Sequence, residues 1–410
     1  MASSKPPSPG RTIVTEAPEY PFRNPSALEP PQEWAEFRQG CPVAPIRLAS
    51  GDQALLLTRY DDVKQVLSDP RFTRQLDAED AARVTANESG GVFGSGTSMS
   101  GDEHRAWRQL LGKAFTARRV TAMQPRIQAM AEHLVREMVS RGAPADLVGS
   151  VGFPLPVWAI CDLLGVPDSD RGRFAYWSDT MLSMTKFGQE EIDAAQAEFD
   201  AYLVALVGAK RAEPGDDLVS ELLSIVEGLD GRLTEQLMLG TAKGLLVAGH
   251  ETTANMIGKM MSMVLADRAR WESLLADRAL IRPAVEEVLR FDANPGFGMP
   301  RYLTEEVEVA GEKLPKGTTV ICSMASANRD ERQFEGAGEM RLDRSPNPHV
   351  AFGVGPHSCI GQALARTELQ TVLKVLLDLL PTLELAVPAA ELKRREGLLV
   401  GGLEQVPVRW

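Results

Sequence analysis

The chain has 410 residues, 44% of them hydrophobic, so it is long enough to bury a large core. Its formal net charge of −12 argues against nucleic acid and against an anionic membrane surface as partners. No apolar run approaches the roughly 20 residues that span a bilayer, so no membrane segment is expected. The four cysteines occur singly, which argues against a disulfide framework and indicates a reducing compartment such as the cytoplasm.

The N-terminus, residues 1–18, is rich in Pro and Ser and lacks the apolar centre of a signal peptide. We expect it to be a disordered tail. No linker, charge block or internal repeat divides the remainder, so residues 19–410 are predicted to form a single domain. Residues 55–58 are a candidate strand, and a helix is predicted to begin near Asp61.

Residues 74–100 are polar and rich in Gly and Ser, which predicts a long loop of the kind that is often functional. The helix expected after it carries His104 and Arg108 on one face, because they are four residues apart. Two basic side chains so placed suit a ligand with carboxylates. A solvated basic face is the alternative that this helix alone leaves open.

Helical periodicity continues through residues 122–163 and 170–212, with Cys161 at a core position. The second stretch carries apolar side chains that either roof a cavity or belong to the core. These side chains are Trp177, Met181, Leu182, Met184 and Phe187.

A long helix is predicted over residues 234–265. Leu245, Ala248 and Thr252 share one of its faces, and Leu245 and Ala248 are candidates for a pocket lining. Gly249, close to two threonines, marks a place where this helix can kink.

The same helix carries two polar patterns. His250-Glu251 opens the zinc motif H-E-x-x-H, but Ala254 stands where the second His is required, so that interpretation fails. Glu251-Thr252 is an acid–alcohol pair. It is either two polar residues that interrupt a buried helix or an acid that feeds protons inward beside a hydroxyl.

Glu287 and Arg290 lie three residues apart on a short helical pattern, for which a surface ion pair is the plainer interpretation. Alternating residues at 307–309 and 314–320 predict a strand–turn–strand unit. A helix to about residue 379 and a short β region around 398–402 are expected near the end of the chain.

Residues 351–361 form a Gly-rich loop that leads into a helix and carries Cys359. Gly353, Gly355 and Gly361 permit unusual φ values and a close approach of the backbone to a flat group. The N–H groups of the loop and the following helix favour a thiolate. A lone cysteine is more often a small buried hydrophobe. A phosphate loop would have Gly where this loop has Ser, or a following Lys, and a zinc or redox site would need a second nearby Cys.

The spacing Phe-Gly-x-Gly-x-His-x-Cys-x-Gly over residues 352–361 resembles the haem-ligand signature of the cytochrome P450 family, with all fixed positions present. The acid–alcohol pair and Glu287-x-x-Arg290 stand in the family's order, and the resemblance spans about residues 20–410. It implies a mainly α fold with small β-sheets, in which haem lies between the long oxygen-activation helix and the helix after the cysteine loop. It also implies a bacterial-type haem-thiolate monooxygenase of natural-product tailoring.

The resemblance further implies roles for individual residues. Cys359 would be the axial metal ligand of haem b (iron protoporphyrin IX), and Glu251 and Thr252 would be catalytic, relaying protons. The other haem-binding residues would be His104, Arg108, Ala248, Arg301, Phe352, His357 and Gly361. Glu287, Arg290 and Arg344 would be structural. The substrate-pocket candidates are Leu245, Ala248, Phe297, Met299 and Leu399.

The implied reaction uses dioxygen and two electrons to hydroxylate or epoxidise a small hydrophobic or aromatic substrate, such as a secondary metabolite. A ferredoxin or flavodoxin-like donor with its reductase would dock on the Cys359 side, using basic residues such as Arg105, Lys113 and Arg366. We expect a cytoplasmic monomer. Oxidative coupling of an aromatic natural product such as a cyclic dipeptide is an alternative. A peroxide-driven enzyme and a non-catalytic haem-binding or sensor protein are others, and the acid–alcohol pair argues against the last.

Overall fold

A computed structural model of the chain describes residues 17–84, 101–182, 187–227, 235–293, 296–395 and 400–410. The helices of these residues are α1 Glu33–Gly40, α2 Tyr60–Ser68, α3 Gly101–Ala114, α4 Ala117–Arg141, α5 Pro154–Leu164, α6 Arg171–Leu182, α7 Gln189–Ala212, α8 Leu218–Glu227, α9 Glu235–Leu265, α10 Arg268–Ala276, α11 Ile281–Phe291, α12 Met324–Ala327 and α13 Gln362–Leu379. The strands are β1 Val43–Arg47, β2 Gln53–Leu57, β3 Phe72–Thr73, β4 Ala145–Asp146, β5 Met299–Leu303, β6 Val307–Val309, β7 Glu312–Leu314, β8 Thr319–Cys322, β9 Glu384–Leu385, β10 Arg394–Arg395, β11 Gly402–Leu403 and β12 Pro407–Arg409.

The predicted mainly α class with small sheets is confirmed. The predicted long helix is α9, which spans Glu235–Leu265 in the described residues; position 234, the predicted start, lies outside them. Residues 1–16 of the expected tail and residues 85–100 of the loop predicted over 74–100 lie outside the described residues. The tail ends earlier than predicted, because Ala17 is buried and the Pro18 carbonyl accepts from the Arg47 N–H over 2.9 Å. Among the described residues, no helix combines the length and apolar character that crossing a membrane requires.

The helical part of the core is built around α9, which packs against α5, α7, α11 and α13. Gly249 allows the closest of these contacts, because a Cβ there would lie 2.8 Å from Cδ1 of Ile160. α9 is continuous through Gly249, and the kink at this glycine stays a prediction. The glycine leaves room for the neighbouring helix α5. Cys161 and Trp177 are core residues, whereas the side chains of Met181, Leu182 and Met184 lie outside the described residues.

A five-stranded sheet, in the order β1-β2-β8-β5-β3, forms the second part of the fold. β2 and β8 are parallel, and the other pairs are antiparallel. Met299 pairs with Cys322 in β5 and β8, and this register places Arg301 two residues further into the sheet. Smaller sheets join β4-β12-β9, β6-β7 and β10-β11. The last of these lies against α9.

Candidate active site

The loop that carries Cys359 is fixed by its own backbone and by α2. The Cys359 N–H donates to the carbonyl of Phe352 over 2.7 Å. Gly353 and Gly355 have φ values of +67° and +73°, and a Cβ on Gly355 would lie 2.7 Å from the carbonyl oxygen of Leu67. Glycine is therefore required at 355 by both conformation and space. Gly361 differs from expectation, because its φ of −81° is open to any residue.

Cys359 is surrounded by protein atoms without being covered by them. Its side chain is accessible to solvent, yet the surrounding protein raises the pKa of the thiol by desolvation. The Gly361 N–H lowers the pKa, in line with the expectation that N–H groups of the loop favour a thiolate. The charges of Arg108 and Arg366 lower it further, but burial outweighs all three. The local environment alone thus does not favour the thiolate. A thiol that coordinates a metal ion is deprotonated by the metal itself.

In the middle of α9, one face is accessible to solvent, whereas neighbouring positions of the helix are buried. We call it the open face. Ala248 is exposed, and Leu245 and Thr252 are half-buried, whereas Leu246 and Thr253 are buried. These three more open positions are the ones that helical periodicity places on one face. The Thr252 hydroxyl donates to the Ala248 carbonyl over 2.9 Å, so the alcohol is held along this face.

Glu251 points to a different side of α9 from Thr252. Its carboxylate is buried and its Oε1 accepts from Asn255 Nδ2 over 3.1 Å. Arg395 Nη1 of β10 lies 3.4 Å from the same oxygen. Asn255 is itself enclosed by β11, because a Cβ on Gly402 would lie 2.1 Å from Asn255 Oδ1. The C-terminal β10–β11 unit therefore holds the acid of the acid–alcohol pair.

Five basic side chains converge near the cysteine loop, and we call them the basic cluster: Arg74, His104, Arg108, Arg301 and His357. The rings of His104 and His357 stack with centroids 3.9 Å apart. Arg108 donates to the Ser358 carbonyl, next to Cys359. Burial and the cationic neighbours together lower the pKa of His357 to about 3.

The basic cluster has no internal counter-charge in the part of the chain that the structure describes. No carboxylate acts on the pKa of Arg74, Arg108 or Arg301, and burial lowers all three pKa values, that of Arg74 to about 10. Arg74 Nε is buried without a hydrogen-bond partner, and Arg301 Nη1 donates to the Pro300 carbonyl. Buried cations are costly when unpaired, so this arrangement calls for an anionic ligand with more than one charged oxygen.

Glu287, Arg290 and Arg344 form a buried ion network. Arg290 makes a two-pronged contact with Glu287 at 2.8 Å for each nitrogen, and Arg344 Nε approaches the same carboxylate at 3.0 Å. Burial alone would raise the pKa of Glu287, but the hydrogen bonds and charges of these partners hold it below its usual value. Arg290 also donates to the carbonyls of Asn328 and Ala337. The network thus ties α11 to the long segment that leads into the cysteine loop.

The remaining predicted residues lie around these parts. Phe352 is half-buried, with the Arg366 guanidinium 4.5 Å from its ring centroid. Phe297 and Met299 are half-buried on the segment that leads to Arg301. Leu399 lies outside the described residues.

Comparison with known proteins identifies the family. The family model described as Cytochrome P450 matches residues 167–382. The chain belongs to the cytochrome P450 family. It is 42% identical to nocardicin C N-oxygenase of Nocardia uniformis subsp. tsuyamanensis, over 97% of this chain and 99% of that protein. It is 40% identical to mycinamicin IV hydroxylase/epoxidase of Micromonospora griseorubida, over 95% and 98%.

A solved P450 structure has the same fold over nearly its whole length. SgvP, described as involved in the tailoring step of griseoviridin, superposes with a TM-score of 0.91 at 38% identity. The match covers 96% of this chain and 100% of that one. The protein is therefore a P450 oxygenase of the bacterial natural-product tailoring type.

The residues of this P450 fit the haem iron that the family implies. Among the described residues, no group of three or more His, Cys, Asp or Glu side chains could hold a metal ion. Haem would bring its own ligands for the iron besides Cys359. The two carboxylates of haem would balance the charge of the basic cluster. When bound, haem supplies the dioxygen chemistry, and a cysteine thiolate favours O–O cleavage.

Two contributors to the site were missed by sequence reasoning. Arg74 stands at the start of a loop without periodicity, and Arg395 stands in a two-residue strand, so neither has a local pattern that indicates a partner. The available signal for Arg74 was its position as the first residue of the polar loop at 74–100. The Arg395–Glu251 contact joins residues 144 positions apart and has no signal in a single sequence.

Proposed function

We propose that this P450 inserts an oxygen atom from dioxygen into a small hydrophobic or aromatic secondary metabolite, by hydroxylation or epoxidation. The carrying observation is that Thr252 stands on the open face of α9 with Glu251 buried beside it. An alcohol on that face and an acid behind it suit proton delivery to oxygen. A protein that only binds haem has no need of either. Two relatives that are 42% and 40% identical to this chain, an N-oxygenase and a hydroxylase/epoxidase, favour oxygen insertion over oxidative coupling.

We infer that the cofactor is haem b, held without covalent attachment. Attachment of c-type haem uses C-x-x-C-H, and no two cysteines of the sequence stand in that motif. Cys359 would be the axial ligand, and the basic cluster would bind the two haem carboxylates. Phe352, Gly361 and Ala248 would lie against the haem ring. Gly361 has no side chain and lies beside the Cys359 sulfur, and Phe352 is half-buried in the same loop. Ala248 is exposed on the open face of α9.

The other site residues would act through position and proton supply. Glu287, Arg290 and Arg344 would hold the segment that carries the cysteine loop. Thr252 Oγ1 would donate a proton on the open face. Glu251 would supply the next proton from the side of the C-terminal β10–β11 unit. Leu245, Phe297 and Met299, with Leu399, would border the substrate.

A ferredoxin or flavodoxin-like donor with its reductase would supply electrons by docking near α3. This helix exposes Arg105 and Lys113, and its Arg108 contacts the residue next to Cys359. Arg105 is paired with Asp102. Arg366 is less available than the sequence suggests, because it is half-buried and makes a two-pronged contact with Glu286 at 2.7 and 3.0 Å.

We also propose that residues 19–410 act as one domain in a cytoplasmic monomer. The four cysteines are all free, which supports a reducing compartment.

The first experiment is the absorption spectrum of the reduced, carbon monoxide-bound protein. We expect a strongly red-shifted Soret band, which Cys359→Ser should abolish. Cys41→Ser is the matched control, because Cys41 is a half-buried free cysteine at the end of α1 and should leave the band unchanged. Survival of the band in Cys359→Ser would overturn the ligand assignment.

The second experiment follows the oxygen. Secondary metabolites that shift the haem spin state are turned over under oxygen-18 with a ferredoxin, its reductase and NAD(P)H. Incorporation of one labelled atom per product supports insertion. An unlabelled product made of two joined substrate molecules would favour oxidative coupling instead.

A further inference from the structure

The N-terminal segment is tied into the fold beside the predicted substrate space. Tyr20 N–H donates to the Arg47 carbonyl, and Arg47 N–H donates to the Pro18 carbonyl, both over 2.9 Å. These bonds extend the edge of the five-stranded sheet beyond β1. They place the Tyr20 side chain in the hydrophobic cluster that also contains Trp34 and Ala293.

Tyr20 makes a direct contact with Phe297, 277 positions away. Its hydroxyl donates to the Phe297 carbonyl over 2.5 Å. Its ring meets the Phe297 ring edge-on, with centroids 5.2 Å apart. Tyr20 is 3% exposed and Phe297 is half-buried, so this hydrogen bond is partly buried. Phe22 adds a second edge-on contact to Tyr20, again at 5.2 Å.

The Phe297 segment is held from its other end by the sheet. Gly298 has a φ of +92°, and a Cβ there would lie 2.7 Å from the Cys322 carbonyl oxygen. Met299 then enters β5, and two residues later Arg301 enters the basic cluster. Phe297 precedes the paired part of β5, and no strand pairing among the described residues includes it. The Tyr20 hydroxyl is what holds its carbonyl.

We propose that Tyr20 is a positioning residue that fixes Phe297 at the border of the substrate space and so sets the preference of this P450 for aromatic over small ligands. The inference rests on the proposed function, in which Phe297 and Met299 border the substrate. It adds a residue from the opposite end of the chain. Removing the hydroxyl frees the Phe297 carbonyl, while the ring of Phe at position 20 keeps the apolar packing.

The test compares Tyr20→Phe with Tyr60→Phe. Tyr60 is the matched control, because it is buried and its hydroxyl donates to a backbone carbonyl, that of Pro348, over 2.6 Å, in a different hydrophobic cluster. Two azoles that bind haem iron serve as probes, imidazole and 4-phenylimidazole. Only the second carries a phenyl ring beyond the iron-binding imidazole, and this ring would extend into the substrate space.

We expect Tyr20→Phe to change the Kd of 4-phenylimidazole by about threefold or more, the order expected for one buried hydrogen bond, with imidazole unchanged. Tyr60→Phe should change neither Kd. Phe297→Leu should shift the 4-phenylimidazole Kd as well, since it alters the positioned ring itself. If the ratio of the 4-phenylimidazole Kd to the imidazole Kd is the same in wild type and Tyr20→Phe, the proposal is overturned.

Amide hydrogen exchange gives a readout that does not depend on haem. Tyr20→Phe should speed exchange in the peptide spanning residues 294–299, whereas Tyr60→Phe should not. Unchanged exchange there would overturn the positioning role. If wild-type protein shows no azole-induced Soret shift, the proposed function fails, and the exchange result still decides whether Tyr20 fixes Phe297.

Discussion

Arg395 Nη1 lies 3.4 Å from Glu251 Oε1 and so joins the C-terminal β10–β11 unit to the acid of the acid–alcohol pair. Asn255 donates to the same oxygen and packs against Gly402 of β11. The preceding residue, Arg394, binds Asp292 over 2.9 Å. Two consecutive arginines thus attach one short strand to the long helix and to the end of α11. The position of the acid depends on this strand.

Glu251→Gln tests the acid without removing its hydrogen-bonding shape. Because the amide cannot supply protons, we expect product formation to slow by on the order of 10²-fold, with a larger solvent deuterium isotope effect. Arg395→Gln should give a smaller loss and a changed pH profile, since Asn255 still holds the carboxylate. Arg409→Gln removes an exposed ion pair with Glu384 in the C-terminal sheet and is the control. Unchanged rates and isotope effects in Glu251→Gln would rule out the relay.

Thr252→Ala tests the alcohol on the open face of α9. We expect NAD(P)H consumption to continue while product per electron pair falls, because reduced oxygen is released without reaching the substrate. The control is Thr253→Ala, which removes a hydroxyl from the buried side of the same helix. Coupling is measured as product formed per NAD(P)H oxidised. Equal coupling in both variants would count against a role for Thr252.

Periodicity made the helical part of the fold predictable. The three positions on the open face of α9, Leu245, Ala248 and Thr252, follow from helix geometry alone. So does the i, i+3 pair Glu287–Arg290, and their faces could therefore be assigned from one sequence. The spacing around Cys359 could be matched to a family because a Gly-rich loop tolerates few alternatives at positions such as Gly355.

Contacts between distant segments could not be predicted in the same way. Arg395 and Tyr20 reach their partners through the packing of short strands and an N-terminal segment, where no repeat in the sequence encodes the pairing. The pKa of Cys359 also departs from the loop-based expectation, because burial depends on the whole fold and not on the loop alone. Arg366 shows the same limit. Its position near Cys359 was readable, but its contact with Glu286 was not.

Arg344→Ala tests the buried ion network. Removing Arg344 leaves the buried Glu287 carboxylate with one cationic partner fewer. We therefore expect the free energy of unfolding to fall by about 3–5 kcal/mol. Arg341→Ala is the control, because the Arg341 side chain is exposed and only its backbone N–H binds Glu287. Urea unfolding of both variants measures the difference. Equal stability of the two would show that Arg344 does not support the network.

Lys113→Glu tests the docking of an electron donor on α3. An acidic donor is attracted by exposed positive charge, so we expect slower electron transfer at low salt and a weaker salt dependence. Lys313→Glu changes the same charge on the exposed β7 and should have no effect. First-electron transfer is followed by stopped flow with a ferredoxin at several ionic strengths. Equal rates for both variants would move the docking surface away from α3.

His250 gives a prediction for the pH dependence of stability. Burial lowers its pKa below the ordinary value of 6.5, against the opposing hydrogen bond to Leu246 and the charge of Glu251. Its Nδ1 lies 2.7 Å from the Leu246 carbonyl oxygen, and Nε2 is buried without a partner among the described residues. Between the lowered pKa of the folded protein and pH 6.5, the unfolded chain therefore binds a proton that the folded protein does not. Stability from this group is present above pH 6.5 and is lost as the pH falls.

His250→Gln keeps a donor for the Leu246 carbonyl and removes the titration. We expect the fall in the free energy of unfolding between pH 7.5 and 5.5 to shrink, by up to about 1.4 kcal/mol per pH unit below 6.5. His133→Gln replaces an exposed histidine on α4 and should leave the wild-type slope unchanged. Urea unfolding at both pH values measures the slopes. A wild-type slope in His250→Gln would mean that the buried imidazole is protonated in the folded state over this range.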